Sequence, residues 1–386
     1  MTAPLAGLRV IEFAGLGPTP FTAMMLANMG AEVLRIERSW PPDTSLGDPE
    51  RDFLRGGRPA IVLDLKTQQG RDYARDLVRQ ADVLIEGYRP GVMERLDLGP
   101  DRLNAENSRL IYARMTGWGQ TGPLSLTAGH DINYLALTGA LHMMGDPDRP
   151  PAPPINLVGD YGGGAMFLLS GILAALLSRQ GTGLGQVVDA AMTDGVSMLM
   201  TQMFAWSAMG SWHADRGSNL LDGSAYFYRC YETADGKFIA VGALEAKFHD
   251  ELLRGLGLDP VDFPDRLTSG VWAERSAIIG AIFKSASRDE WVRRLAAFDA
   301  CVTPVLTMAE AVDHPSNTAR GAHLTGVSGP QPAFAPRLMR TPATVRAVPK
   351  TPLADGIERL RDWGLNTSFF NTQADAKNLT RASAKP

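Results

Sequence analysis

Along the first 120 residues the chain alternates short apolar runs with stretches of helical periodicity. Residues 8–14, 31–36, 60–65, 81–85 and 110–115 are brief and mostly apolar, as strands buried on both faces are. Residues 21–29 and 67–80 between them read as helices, and 15–20 as a loop. Strands that alternate with helices predict βαβ units and a mainly parallel sheet covered on both sides, a doubly wound α/β domain.

The pattern changes after residue 185. Residues 186–191 read as a strand and 193–209 as one long helix rich in methionine and aromatic residues, before a polar, glycine-containing connection at 217–223. Residues 227–233 and 238–241 form a hairpin pattern around Ala234-Asp235-Gly236-Lys237, where Asp-Gly predicts a type I′ turn. Helices are expected at 245–258, 272–284 and 288–298, a proline-rich return over 313–352, a helix over 353–363, and a loosely ordered polar tail over 366–386. The expected organisation is a large domain of 1–210 together with 320–386, and a small α+β domain of 222–312.

Composition narrows the classes. A chain of 386 residues, 45% hydrophobic and 21% charged, buries a full globular core. Its net charge of -4 offers no basic footprint for nucleic acid. Cys230 and Cys301 are the only cysteines, too few for a disulfide scaffold or a cysteine-based zinc cluster, so a reducing cytoplasm is expected. The first residues show no charged segment followed by an apolar core, and the longest apolar run, 165–177, reads as a buried helix too short to span a bilayer. No membrane partner is expected.

Candidate chemistry lies where loops meet helices. Gly129-His130-Asp131-Ile132-Asn133-Tyr134 and Asn156-Leu157-Val158-Gly159-Asp160 place an imidazole and a carboxylate at the starts of two helix-like segments. Helix starts offer unpaired N–H groups and partial positive charge, so the pair suits proton transfer beside a carbonyl. Asp160 reads equally as a helix N-cap, and His130 as a locally bonded histidine. Gly15-Leu16-Gly17-Pro18-Thr19-Pro20 begins like a dinucleotide fingerprint, with Glu37 in the place of a ribose-binding acid, but Pro20 replaces the third glycine. Arg35 and Arg38 would suit a phosphate, or are solvated charges at a strand end. Glu86-Gly87-Tyr88-Arg89-Pro90 and Arg95 follow a strand directly, giving a ring to stack on adenine and guanidinium groups for phosphates. Together these features imply an adenine nucleotide bound without a Walker loop. Eight methionines between 143 and 209 suit a core or an adaptable apolar pocket.

Five separated motifs then carry a family resemblance: Pro4-Leu5-Ala6-Gly7-Leu8-Arg9-Val10, Glu86-Gly87-Tyr88-Arg89-Pro90-Gly91, Arg114-Met115-Thr116-Gly117-Trp118-Gly119-Gln120-Thr121-Gly122-Pro123, Gly129 to Tyr134, and Gln186-Val187-Val188-Asp189-Ala190-Ala191-Met192. In this order the chain resembles the family III CoA-transferase superfamily, and within it the racemase branch. The resemblance implies a Rossmann-like large domain built from both chain ends, a smaller α+β domain, and an interlocked homodimer. It implies a CoA thioester substrate, with Arg38, Leu63, Lys66, Glu86, Gly87, Tyr88, Arg89 and Arg95 at the CoA site. It further implies racemisation of 2-methylacyl-CoA thioesters through an enolate, with no metal or redox cofactor. His130 and Asp160 are the implied acid/base pair, Glu245 bonds His130, and Asp131, Asn156 and Tyr134 support them. The transferase branch would instead use Asp160 as nucleophile, beside a glycine-rich loop. Ala240-Val241-Gly242-Ala243-Leu244-Glu245 has no glycine run and ends in a carboxylate, which favours the racemase.

Overall fold

The computed structural model describes residues 2–40, 42, 48–49, 51–326 and 329–370. The expected tail from 371 onward lies outside the described residues. The chain divides into two compact units. The first comprises Met1–Leu137, Asn156–Leu199 and His323–Pro386, and the second Thr138–Ile155 and Met200–Ala322. This corrects the expected boundaries: residues 138–155 and 200–210 fall in the second unit, and the return to the first begins at 323. The helix expected over 193–209 is two helices, Met192–Leu199 and Thr201–Ala208, and the division falls at the break between them. Apolar residues continue through that break, so composition alone did not mark it.

In the first unit, six parallel strands, β1 (Arg9–Phe13), β2 (Glu32–Glu37), β3 (Ala60–Val62), β4 (Val83–Glu86), β5 (Ile111–Thr116) and β6 (Val187–Ala191), lie in the order β3-β2-β1-β4-β5-β6. Alternate side chains enter two cores. Val10, Val33, Val83, Ile85 and Ile111 pack with α1 (Pro18–Asn28) and the Met166–Thr182 helix on one face. On the other, Ile11, Leu34, Ile36, Leu84 and Tyr112 pack with α2 (Gln68–Arg79) and Leu360 of the Pro352–Asp362 helix. Burial on both faces explains why these strands read as nearly continuous apolar runs.

Helix α1 begins three residues before its expected start, at Pro18, because a proline in the first helical position has the right φ and gives up an N–H that has no intrahelical partner. The Thr67 hydroxyl accepts from Gly70 N–H and caps α2. Leu157–Thr182 is helical throughout, a π-helical turn region Leu157–Ala165 continuing into Met166–Thr182. By length and composition this run could cross a membrane, which corrects the expectation drawn from 165–177 alone. Leu168, Leu169 and Ile172 enter the core while Met166 and Leu177 are exposed, so the helix is only partly buried.

In the second unit, β7 (Tyr228–Glu232), β8 (Phe238–Gly242) and β9 (Val302–Pro304) form an antiparallel sheet, the last strand unforeseen. The hairpin turn differs from expectation. Thr233 N–H bonds Lys237 C=O, Gly236 N–H bonds Thr233 C=O, and only Gly236 has positive φ. This is a three-residue loop with a glycine bulge rather than a type I′ turn, which would need Asp235 in the left-handed region as well. Helices Ala246–Gly255, Trp272–Phe283 and Arg288–Leu295 cover a core containing Phe227, Ile239, Leu252, Ile279 and Trp291.

Candidate active site

At the carboxyl edge of the parallel sheet, β1 and β4 are neighbours whose following connections diverge, the switch point where open α/β sheets bind ligands. A cavity of about 600 Å3 opens there within the first unit. Residues 14–19 after β1, Arg38 after β2, 87–90 after β4 and 115–118 at the end of β5 and just beyond it line it. The starts of the Asp131–Thr138 helix and of the π-helical region complete it, bringing His130, Asp131, Tyr134, Asn156 and Asp160 to one space.

Asp160 stands in the first turn of the π-helical region and does not cap it; Asn156 occupies the N-cap position. The Asn156 amide donates to Asp160 Oδ2 at 3.3 Å. Asp160 N–H donates to Asp131 Oδ1 at 2.6 Å, so the neighbouring carboxylate holds the turn. Gly159 makes this approach possible, since a Cβ there would overlap Asp131 Oδ1. Across the cavity Gly17, with φ +66°, brings backbone against the carboxylate. A methyl on it would lie 3.2 Å from Asp160 Oδ2, in a conformation L side chains rarely adopt. Burial pushes the Asp160 carboxyl above the usual aspartate range; the Asn156 amide opposes the shift, Asp131 adds to it, and His130 pulls the other way. Burial also raises Asp131, against the N–H groups of Asp160 and Gly159. A carboxyl raised in this way passes more readily between its neutral and charged forms, as an acid/base catalyst must.

His130 is exposed to the cavity, its N–H fixed by Asn133 Oδ1 at 3.0 Å. The Tyr134 hydroxyl donates back to Gly129 C=O, and its ring meets Trp118 edge-on, which ties down the loop that carries the imidazole. Glu245 belongs to the second unit. It stands at the N-cap position of the Ala246–Gly255 helix, exposed, and its carboxylate makes no capping bond.

The residues implied at a CoA site separate into two groups. Arg38, Gly87, Tyr88 and Arg89 line the cavity, with the Arg38 guanidinium 5.4 Å from the Tyr88 ring centre. Leu63 and Glu86 do not reach it: Leu63 is fully buried in the core, and Glu86 is 1% exposed. Glu86 instead accepts from Tyr88 N–H at 2.8 Å and from Arg114 Nε at 2.9 Å, while Arg114 also bonds Glu94, so it shapes the loop from beneath. Lys66 and Arg95 are exposed outside the cavity lining. Arg35 and Glu37, candidates for phosphate and ribose, are buried in a network with Glu12, Arg55 and Arg58. Of the eight methionines between 143 and 209, Met192 alone lines the cavity.

Gly17 and Thr19 entered the sequence reading only within a dinucleotide-like loop, and Arg114 only within a family motif, none of them as a site residue. The sequence mark for Thr19 was present: a threonine between two prolines at a helix start leaves few N–H donors, which makes its hydroxyl conspicuous. The whole arrangement offers an acid/base pair, guanidinium groups and a stacking ring around one cavity, as expected for an activated acyl group on a nucleotide-containing carrier.

Residues 5–355 match the model for CoA-transferase family III. The chain is 44% identical to α-methylacyl-CoA racemase of Mus musculus, over 94% of each chain. It is also 44% identical to α-methylacyl-CoA racemase of Homo sapiens, over 88% of this chain and 87% of the human one. Its fold is similar to that of a CAIB/BAIF family protein from Brucella suis, with a TM-score of 0.79 and 26% identity over 94% of this chain and all of the other.

Proposed function

The chain belongs to CoA-transferase family III, and from that premise we propose that it is a racemase interconverting the (R) and (S) forms of 2-methylacyl-CoA thioesters. The observation that carries this reading is that His130 and Asp160 face one cavity, the carboxyl held above its usual range by burial. A thioester acidifies its α-carbon. One group removes the α-proton, the C–H electron pair moves into the carbon–carbon bond, and the carbonyl π pair moves onto oxygen to give an enolate. The other group then returns a proton to the opposite face. His130 and Asp160 exchange roles with the enantiomer bound. Asp131 and Asn156 hold the Asp160 turn. Arg38 and Arg89 take CoA phosphates and Tyr88 its adenine, and the chemistry calls for no metal or redox cofactor.

Two further features belong to this reading. Leu177, Met198, Phe204 and Met209 are exposed, more apolar surface than an isolated chain favours, and a homodimer would cover it. Cys230 and Cys301 are free thiols, compatible with a cytoplasmic enzyme, and the helix spanning Leu157–Thr182 serves as a core helix rather than a membrane span.

One enantiomer of a 2-methylacyl-CoA in deuterated water, with and without a free carboxylate acceptor, tests the reading. Racemisation predicts α-deuterium incorporation with inversion and no new thioester. A new thioester without α-exchange would make Asp160 a nucleophile and the protein a CoA-transferase.

A further inference from the structure

Between the helix that begins beside His130 and the turn that carries Asp160, the chain passes through residues 138–155, which belong to the second unit. The two ends of this segment differ. On the His130 side it contains Gly139 and Gly145, both at positive φ. On the Asp160 side it reads Arg149-Pro150-Pro151-Ala152-Pro153-Pro154-Ile155. Each proline fixes its own φ and holds the residue before it extended, so this stretch is a stiff strut rather than a pliable loop. Ala152 carries the one N–H between 150 and 154, and it bonds Met144 C=O at 3.2 Å.

The base of the strut is clamped and its tip is strained. Arg216 donates from all three guanidinium nitrogens to carbonyls of the segment: Nη1 to His142 at 2.8 Å, Nε to Asp146 at 2.9 Å and Nη2 to Arg149 at 2.7 Å. The loop behind Arg216 is itself fixed, since Asp222 Oδ2 accepts the N–H groups of Gly217, Ser218 and Asn219 at 2.9–3.0 Å. At the tip Ile155 has φ +59°, a left-handed conformation that a β-branched residue resists. It is 76% exposed, so its own packing does not hold it there. The next residue is Asn156, whose amide bonds Asp160 Oδ2.

We propose that Arg216 is a positioning residue for Asp160: by clamping the base of the proline strut it keeps Ile155 left-handed and Asn156 in place against the carboxyl. The assignment rests on the racemase reading. Without the clamp Ile155 relaxes to negative φ and turns Asn156 away, which frees the Asp160 carboxyl to rotate. On the other side Gly139 and Gly145 absorb the motion before it reaches His130. Arg216 therefore acts on one of the two bases and not on the other.

Arg216→Ala in the full chain, given pure (R) and pure (S) 2-methylacyl-CoA in deuterated water beside Asp160→Asn, tests the assignment, with free-CoA affinity measured by calorimetry. Inversion of both enantiomers should slow about tenfold, with free-CoA affinity within about twofold of wild type. Exchange of the α-hydrogen should slow only for the enantiomer that Asp160→Asn no longer exchanges. Arg216→Lys, which reaches fewer of the carbonyls, should fall between wild type and alanine. Unchanged rates, or α-exchange slowed equally for both enantiomers, overturn the assignment and leave the racemase reading standing. Wild-type protein without α-exchange removes both. If Arg216→Ala lowers the unfolding midpoint, Pro153→Gly decides, because Pro153 is exposed and its loss loosens the strut while the clamp stays. The same one-sided loss of exchange supports the assignment, and wild-type rates or a loss on both sides overturn it.

Discussion

Two charged clusters of the first unit stand at the same carboxyl edge of the same sheet and behave in opposite ways. On the β1–β2 side, Glu12, Arg35, Glu37, Arg55 and Arg58 are each no more than 5% exposed and bond one another: Arg35 Nε to Glu37 at 2.7 Å, Arg35 to Glu12 at 2.9 Å, Arg55 to Glu37 at 3.1 Å, and Arg58 to Glu12. At the β1–β4 switch point, Asp160, His130, Arg38 and Arg89 border open volume. Incomplete satisfaction does not separate the two, since Glu37 Oε2 and Arg58 Nε are also buried without a hydrogen-bond partner. Access does: none of the first cluster lines the cavity. A charge that faces charges of opposite sign inside the protein holds the fold together, and one that faces empty space is available to a ligand.

The largest effect that would sharpen this contrast is catalytic. His130→Ala and Asp160→Asn should each lower the inversion rate by about 10³-fold or more while circular dichroism and free-CoA affinity stay near wild type. Inversion within tenfold of wild type in both variants would erase the distinction. The mirror experiment is Arg58→Met, which leaves the buried Glu12 with one partner fewer. It should cost about 3 kcal/mol in urea unfolding, with kcat per folded molecule within about twofold of wild type. Smaller effects are expected from the cavity cations: Arg38→Ala or Arg89→Ala should weaken free-CoA binding about tenfold by calorimetry, whereas Lys66→Ala and Arg95→Ala shift it less than about twofold.

The smallest effect is on stability, and its sign follows from the raised Asp160 carboxyl. The folded state holds that proton more tightly than the unfolded chain, so stability falls as pH rises from the ordinary aspartate value through the raised one. Asp160→Asn removes this penalty. The variant should therefore unfold at a higher temperature than wild type at neutral pH, with the advantage vanishing below the ordinary aspartate range. A gain that is the same at acid and neutral pH would show that the carboxyl charge is not its source.

Much of this was legible in the sequence. The alternation of apolar strands and helices specified the sheet, because strands buried on both faces leave a plain mark, and Asp-Gly marked the place of the hairpin though not its turn type. His130 and Asp160 were legible as a pair only because each stands beside a glycine at a helix start. The sequence left Arg35 open between a phosphate ligand and a solvated charge and set Glu37 aside with the incomplete fingerprint; neither reading foresaw their burial, because a charge at a strand end looks the same whether it faces solvent or a partner strand, and the register Glu12↔Arg35 decides which. Glu86, at the end of its strand, and Leu63, just after one, have side chains buried beneath the cleft, and the sequence does not say which way such residues point. The break at Met200 stayed hidden because both helices around it are apolar.

The central claim is that two different groups work on opposite faces of one enolate, and enantiomer-resolved exchange tests it most directly. Asp160→Asn and His130→Ala would each be given pure (R) and pure (S) 2-methylacyl-CoA in deuterated water, and α-deuterium incorporation followed by NMR. Each variant should lose inversion yet exchange one enantiomer without inverting it, and the two variants should retain opposite enantiomers. Retention of the same enantiomer by both, or equal slowing of all four reactions, would contradict a two-base site.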